Sequence, residues 1–328
     1  MSTTGTDSAV LTKAIVRLDP ISLRTKRFAA LTTMILPLAG TAAAALFLLT
    51  GRFTAIDIWL FAGMYFVHMF GITVGFHRYL AHKAFRTAPA FEAILMITGS
   101  MGAQGPLMWW VTTHRRHHRF SDREGDPHSP NLHGIALKQR LHGLWYAHMP
   151  WMLSAENSRW SVFAPDVLRS RRLMYFHRTY PIWVISGVIL PGLIGWAAEG
   201  TAMSALTGFV FGGLARIFLA NQAAWMVGSI CHAIGGRPFA NEDRSANNWP
   251  VALLTFGEGL QNNHHAFPGS YRHGVSWLEP DLSGWILAGL GKAGVVWDMR
   301  EPSREQIRKK RERAPATSAA RSTTKKAE

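Results

Sequence analysis

The chain has 328 residues, 48% of them hydrophobic, and 35 Lys and Arg against 20 Asp and Glu give a formal charge of +15 with histidine neutral. Its single cysteine, Cys231, excludes an intramolecular disulfide and any cysteine-rich zinc or iron–sulfur site. The basic excess lies beside apolar runs and in the C-terminal tail, where it suits anionic lipid or solvent, so nucleic acid is not expected as a partner.

Residues 1–27 read as a basic, polar lead-in with Pro20 near its end. Residues 28–50 then run for 23 positions without a charge, about 34 Å as a helix and enough to cross a bilayer core. Lying behind so long a polar segment, this run is expected to stay as an anchor and not to be cleaved as a signal peptide. Residues 54–76 form a second such run, broken only by Asp57. Residues 88–111 are apolar but hold Glu92, three glycines and Pro106, which suggests one helix lying at the membrane interface. Residues 121–133 and 237–250, dense in Asp, Asn, Pro, Gly and Ser, read as loops. Residues 180–198 and 203–228 are the third and fourth crossing runs. The fourth carries Arg216, Asn221 and Gln222, which should face protein. The expected fold is therefore an all-α integral membrane protein with four transmembrane helices and a cytosolic helical cap. The cap comprises residues 77–179 and 229–302, the membrane domain as a whole spans 28–302, and a disordered basic tail follows at 303–328. The segment from His77 to Thr179 carries 14 Lys and Arg, whereas the connections 51–53 and 199–202 carry only Arg52. The positive-inside rule thus places both termini and the long middle segment on the cytoplasmic side of the cell membrane.

Eight histidines cluster at the ends of these runs: His77 and His82, then His114, His117 and His118, then His232, and finally His264 and His265. Residues three and four apart share a helix face, so His114, His117 and His118 can address a common volume, with the adjacent pair splayed to serve two metals. Gln261, His264 and His265 repeat that spacing with glutamine in the first place. His77 and His82 are five apart, about 140° around a regular helix, and share a site only if the helix end departs from α geometry. Zinc would leave half of these imidazoles idle, and magnesium or calcium would want oxygen donors. Eight imidazoles without thiolate fit two iron ions. Asp126 is a candidate to accept the free ring N–H of a ligating histidine, with His128 beside it in a supporting role. His68 reads as a helix–helix hydrogen bonder, and His133, His142, His148, His177 and His273 as ordinary surface or interface groups.

The motifs HRYLAH, THRRHHRFSDREGDPHSP, SICHAIGGRPF, GEGLQNNHHAFP and VVWDM closely resemble those of integral-membrane fatty acid desaturases of the acyl-CoA, stearoyl-CoA Δ9 type in their bacterial form, over roughly residues 28–300. That resemblance implies a di-iron centre held by nine histidines, with cis double-bond insertion into a long-chain acyl-CoA or other acyl lipid using O2 and two electrons. It assigns His77, His82, His114, His117, His118, His232, His264 and His265 as metal ligands. It also marks two departures. Gln261 stands where the family has a histidine, and Gly228 stands where it has an asparagine that reaches one iron through water. Both fall on the same side of the site, so Gln261 becomes a substitute or water-mediated ligand of an altered second iron. Electrons would come from a separate ferredoxin, cytochrome or flavin reductase. Trp109, Trp110, Trp145, Trp151 and Trp249 are candidate walls of an acyl tunnel, and Arg171 and Arg172 are candidates to hold an anionic head group. Two other readings stand beside the desaturase: a membrane di-iron hydroxylase of alkanes, sterols or carotenoids, and an impaired lipid-binding homologue.

Overall fold

The structure, a computed structural model, describes Leu11 and residues 13–312. Within it β1 (Ile15–Arg17) lies inside the basic, polar lead-in of residues 1–27. Helix α1 (Pro20–Leu49) begins eight residues before the uncharged run, because Asp19 accepts the backbone N–H groups of Ile21 and Ser22 and Pro20 supplies a preset φ. Helix α2 (Ala55–Ala81) opens on a Thr54–Asp57 capping box and extends past residue 76, its last stretch, Gly71–Ala81, wound as π-helix. After β2 (Arg86–Thr87) the apolar run at 88–111 does not form one helix. It divides into α3 (Pro89–Met101) and α4 (Leu107–Phe120), because Ala103 and Gly105 turn the chain at φ +55° and +104° and Pro106 cannot continue a helix.

Helix α5 (Leu137–His148), β3 (Glu156–Ser158) and α6 (Arg171–Arg178) complete the middle segment. Helix α7 (Tyr180–Glu199) ends on the left-handed Gly200, and α8 (Ala202–His232) returns, so that His232 sits on the last turn of the span. The short α9 (Trp249–Leu254), α10 (Gln261–Ala266) and α11 (Leu282–Lys292), with β4 (Val296–Trp297), build the rest of the cap. The tail expected to be disordered contains α12 (Arg304–Glu312); residues 313–328 lie outside the described part.

Four helices among the described residues, α1, α2, α7 and α8, are long and apolar enough to cross a membrane. Helix α8 packs on α1, α2 and α7, and α3 packs on α2 and α7. Arg216 in α8 is fully buried, as its residue type demands inside lipid. Its guanidinium donates to the carbonyls of Gly212 (2.9 Å), Met101 (2.9 Å) and Gly187 (2.6 Å), and it lies 3.5 Å from His68 Nδ1. Two small antiparallel ribbons, β1 with β3 and β2 with β4, tie distant segments of the cap together. Lys26 donates to the carbonyls of Ser154 and Glu156, and Arg27 to that of Leu153, which fixes the start of α1 to the same cap.

Candidate metal centre

The π-helical end of α2 resolves the five-residue spacing. His82 N–H bonds the carbonyl of His77 at 3.1 Å, one π turn back, and the two rings come within 4.8 Å. The register follows from close backbone contact: a Cβ on Gly71 would lie 2.2 Å from the Gly99 nitrogen of α3. Arg115 closes the helix end by donating to the carbonyls of Leu80 and Ala81, and Asp166 holds its guanidinium with two bonds at 2.7 and 3.1 Å.

On α4 the i, i+3, i+4 triplet splits between two groups. His114 and His118 join His77, His82 and His264, whose donor nitrogens all lie within 4.8 Å of one another. The Nε2 atoms meet at 2.7 Å for His82 and His114, 2.9 Å for His118 and His264, and 3.1 Å for His77 and His264. His117 turns the other way and forms a second group with His232 and His265, within the same limit. Gln261 lies against this second group, its amide nitrogen 2.9 Å from His265 Nε2 and 3.4 Å from His232 Nε2.

Four carboxylates set the ring tautomers. The Nδ1–H of His117 donates to Asp126 (3.0 Å), that of His232 to Asp122 (2.9 Å) and that of His265 to Asp243 (2.7 Å), while Glu258 holds His77. A carboxylate only accepts, so each pair leaves an Nε2 lone pair facing the interior. Buried lone pairs converging on one another repel unless a cation sits among them. His117 Nε2 and the Gln261 carbonyl oxygen are moreover buried without any hydrogen-bond partner. Turning the amide over brings that oxygen to the nitrogen's place beside His265 and His232, where it can face a cation. Both groups therefore fit a borderline metal ion: five imidazoles in one, and three imidazoles plus a neutral amide in the other.

Burial pushes His82, His114, His118 and His264 well below the usual imidazole range, keeping them neutral donors. Burial lowers His265 to about 4 even with Asp243 opposing it. Burial also disfavours charge on His117, but Asp126 outweighs it and raises this one ring, while the Asp126 carboxyl is held at about 2.

All eight histidines and Gln261 thus come together, and Asp126 accepts the Nδ1–H of His117. His128 stacks on His117 at 4.4 Å, and its ring nitrogen would lie 3.1 Å from a Cβ on Gly228. Other expectations need correction. His273 is no surface group: it is 2% exposed, its ring lies 4.4 Å from that of His264, and neither ring nitrogen has a hydrogen-bond partner. Arg172 is engaged with Glu92 at 3.0 Å, and Arg171 is exposed; neither lines the cavity beside the histidines. That cavity is walled mainly by apolar groups, among them Met69, Ile72, Trp109, Trp110, Trp151 and Trp225, and ends on His77, His114, His117 and Gln261. Trp145 and Trp249 are instead half exposed and take no part. The residues that sequence reasoning missed are Asp122, Asp243 and Glu258. Asp122 had one signal, its place in the same SDREGD segment as Asp126.

Residues 57–298 match the family model described as fatty acid desaturase. The chain is 40% identical to the hex-5-enoyl-[acyl-carrier protein] acetylenase of Moorena producens (strain JHB), over 88% of this chain and 90% of that protein. It is 34% identical to the sn-1 stearoyl-lipid 9-desaturase of Anabaena variabilis, over 72% and 80%. With the acyl-CoA C20 Delta5-desaturase of Anemone leveillei it shares 33% identity over 77% of each chain.

Proposed function

The chain belongs to the fatty acid desaturase family, whose members are oxidoreductases acting on fatty acyl chains, and from that premise we propose that it inserts a cis double bond into a long-chain acyl thioester, with acyl-CoA as carrier and the Δ9 bond as target. The observation that carries this reading is the apolar cavity ending on the imidazoles of both groups. The metal ligands are His77, His82, His114, His118 and His264 for one iron, and His117, His232 and His265 with Gln261 for the other. When bound, the iron pair supplies the O2-dependent removal of two hydrogens, with two electrons from a separate donor.

The chain's own residues supply position and dryness. Trp109 and Trp151 stack at 5.6 Å across the cavity wall, and Trp110 stacks on His114 at 5.1 Å with its N–H held by Gln104. Such a wall fixes which methylenes of the chain lie beside the imidazoles and keeps water away from them. Asp126, Asp122, Asp243 and Glu258 hold the Nδ1 sides of His117, His232, His265 and His77, so that the Nε2 of each stays a donor.

A second reading is favoured by the relative at 40% identity, an acetylenase by name: further oxidation of an acyl chain that already carries a double bond. Expression in a host lacking its own desaturase, with lipid analysis and iron quantification, separates these outcomes. New cis-alkenes support the first reading, alkynes the second, and hydroxylated chains a hydroxylase. Iron-free protein with no product in the presence of a competent reductase sinks all three.

A further inference from the structure

Of the four carboxylates that hold histidine N–H groups, Asp126 and Asp122 are 0% and 4% exposed at the side chain, and Glu258, 10% exposed, lines the apolar cavity. Asp243 differs. Its side chain is 12% exposed, and it sits in the loop after α8 between Glu242, 89% exposed, and the exposed Arg244. Basic groups ring this point. Arg237 donates to the backbone carbonyl of Asp243, Arg123 pairs with Glu242 at 3.5 Å, Arg123 also donates to the Arg119 carbonyl, and Arg311 of α12 lies over Phe239 at 5.5 Å. The guanidiniums of Arg119, Arg123, Arg237, Arg244 and Arg311 all belong to exposed residues. The loop itself is short of lipid-seeking groups: no large apolar side chain is exposed from Arg237 to Asn248, and the exposed ones, Ile234 before it and Trp249, Leu253 and Leu254 after it, flank it. Segments that lie on membranes interleave basic charge with apolar side chains, and along the loop itself the exposed large side chains are charged.

We propose that this rim is the docking surface for an acidic one-electron carrier protein, and that electrons enter through Asp243 and His265 at the group completed by His117, His232 and Gln261. The inference rests on the desaturase reading, which requires an outside donor. Each docking event oxidises the carrier by one electron and reduces the metal pair by one, so two events serve one turnover. The five-histidine group, whose carboxylate partner Glu258 lines the apolar cavity, receives its electron by way of the first.

The test uses full-length protein in neutral-lipid nanodiscs and an acidic [2Fe–2S] ferredoxin as probe, with affinity measured on both iron-free and iron-loaded samples. R123E/R244E should weaken ferredoxin binding by about tenfold or more, because like charges then face the acidic partner. R123K/R244K should bind as the parent does, and Glu242→Lys should tighten binding by about threefold. Reduction of R123E/R244E by a small viologen dye should proceed at the parent rate. Unchanged ferredoxin affinity in R123E/R244E overturns the proposal, as does a loss confined to binding of phosphatidylserine vesicles. Since binding is read independently of turnover, product in the host without docking rejects the surface alone, and docking without product rejects the desaturase reading alone.

Discussion

Asp243 and Asp122 each carry one N–H of the three-histidine group, so Asp243→Ala or Asp122→Ala should weaken metal binding there by roughly 10–100-fold. Iron per chain would fall toward half of the parent value, leaving the five-histidine group loaded. Gln261→His points the other way: iron retention by that group should rise, because imidazole is the stronger donor, and no rise would remove position 261 from the coordination shell. The pH dependence follows from burial. Protons compete with metal for imidazole. His82, His114, His118 and His264 are held below the usual range, so iron in the five-histidine group should survive dialysis as pH falls through about 6.5, while the group holding His117, which Asp126 raises, should lose its iron first. Loss from the five-histidine group already at that pH contradicts the assignment. The histidines were legible because metal-ligand spacing is written into the chain locally. Asp243 and Glu258 were not, since an acid in a polar loop looks the same whether it faces water or an imidazole. His273 was misread for a related reason: its burial comes from Asp281, which accepts the backbone N–H groups of His273 and Gly274, a contact no local pattern announces.

Helices α1, α2, α7 and α8 could be seen in the sequence because a hydrocarbon-length run needs no partner to declare itself. The π-helical end of α2 could not, because its winding depends on Gly71 and Gly75 lying against the backbone of α3. Gly71→Ala should therefore cost about 1–3 kcal/mol through overpacking, lowering the melting temperature of the solubilised protein and its iron content together. Gly63→Ala, on the same helix with nothing within 4 Å of its added Cβ, serves as the control and should change neither. The division of α3 from α4 was missed because a positive φ at Ala103, a non-glycine, has no signature in composition. That break is what turns α4 so that its histidine triplet can meet the end of α2.

At the scale of the whole molecule, β1 pairs with β3 and Lys310 of α12 donates to the Ala266 carbonyl, so both ends of the described chain are fastened to the cap. Four crossings and a shared side agree with one another, and the basic charge of the cap argues for the cytoplasm. Fluorescent-protein fusions at either end should glow and alkaline phosphatase fusions should be silent, while a cysteine placed in the 51–53 turn should react with an impermeant reagent added outside. The reverse pattern would invert the orientation. Arg216 carries a consequence for how this bundle is made. An arginine at mid-helix opposes insertion by roughly 2.5–3.5 kcal/mol, so α8 is poorly suited to entering lipid alone. The carbonyls that receive its guanidinium from other helices, those of Met101 and Gly187, precede it in the chain. By the time the ribosome delivers Arg216, its receptors are already in place, and vectorial synthesis lets the last span insert as a docking partner of the earlier ones.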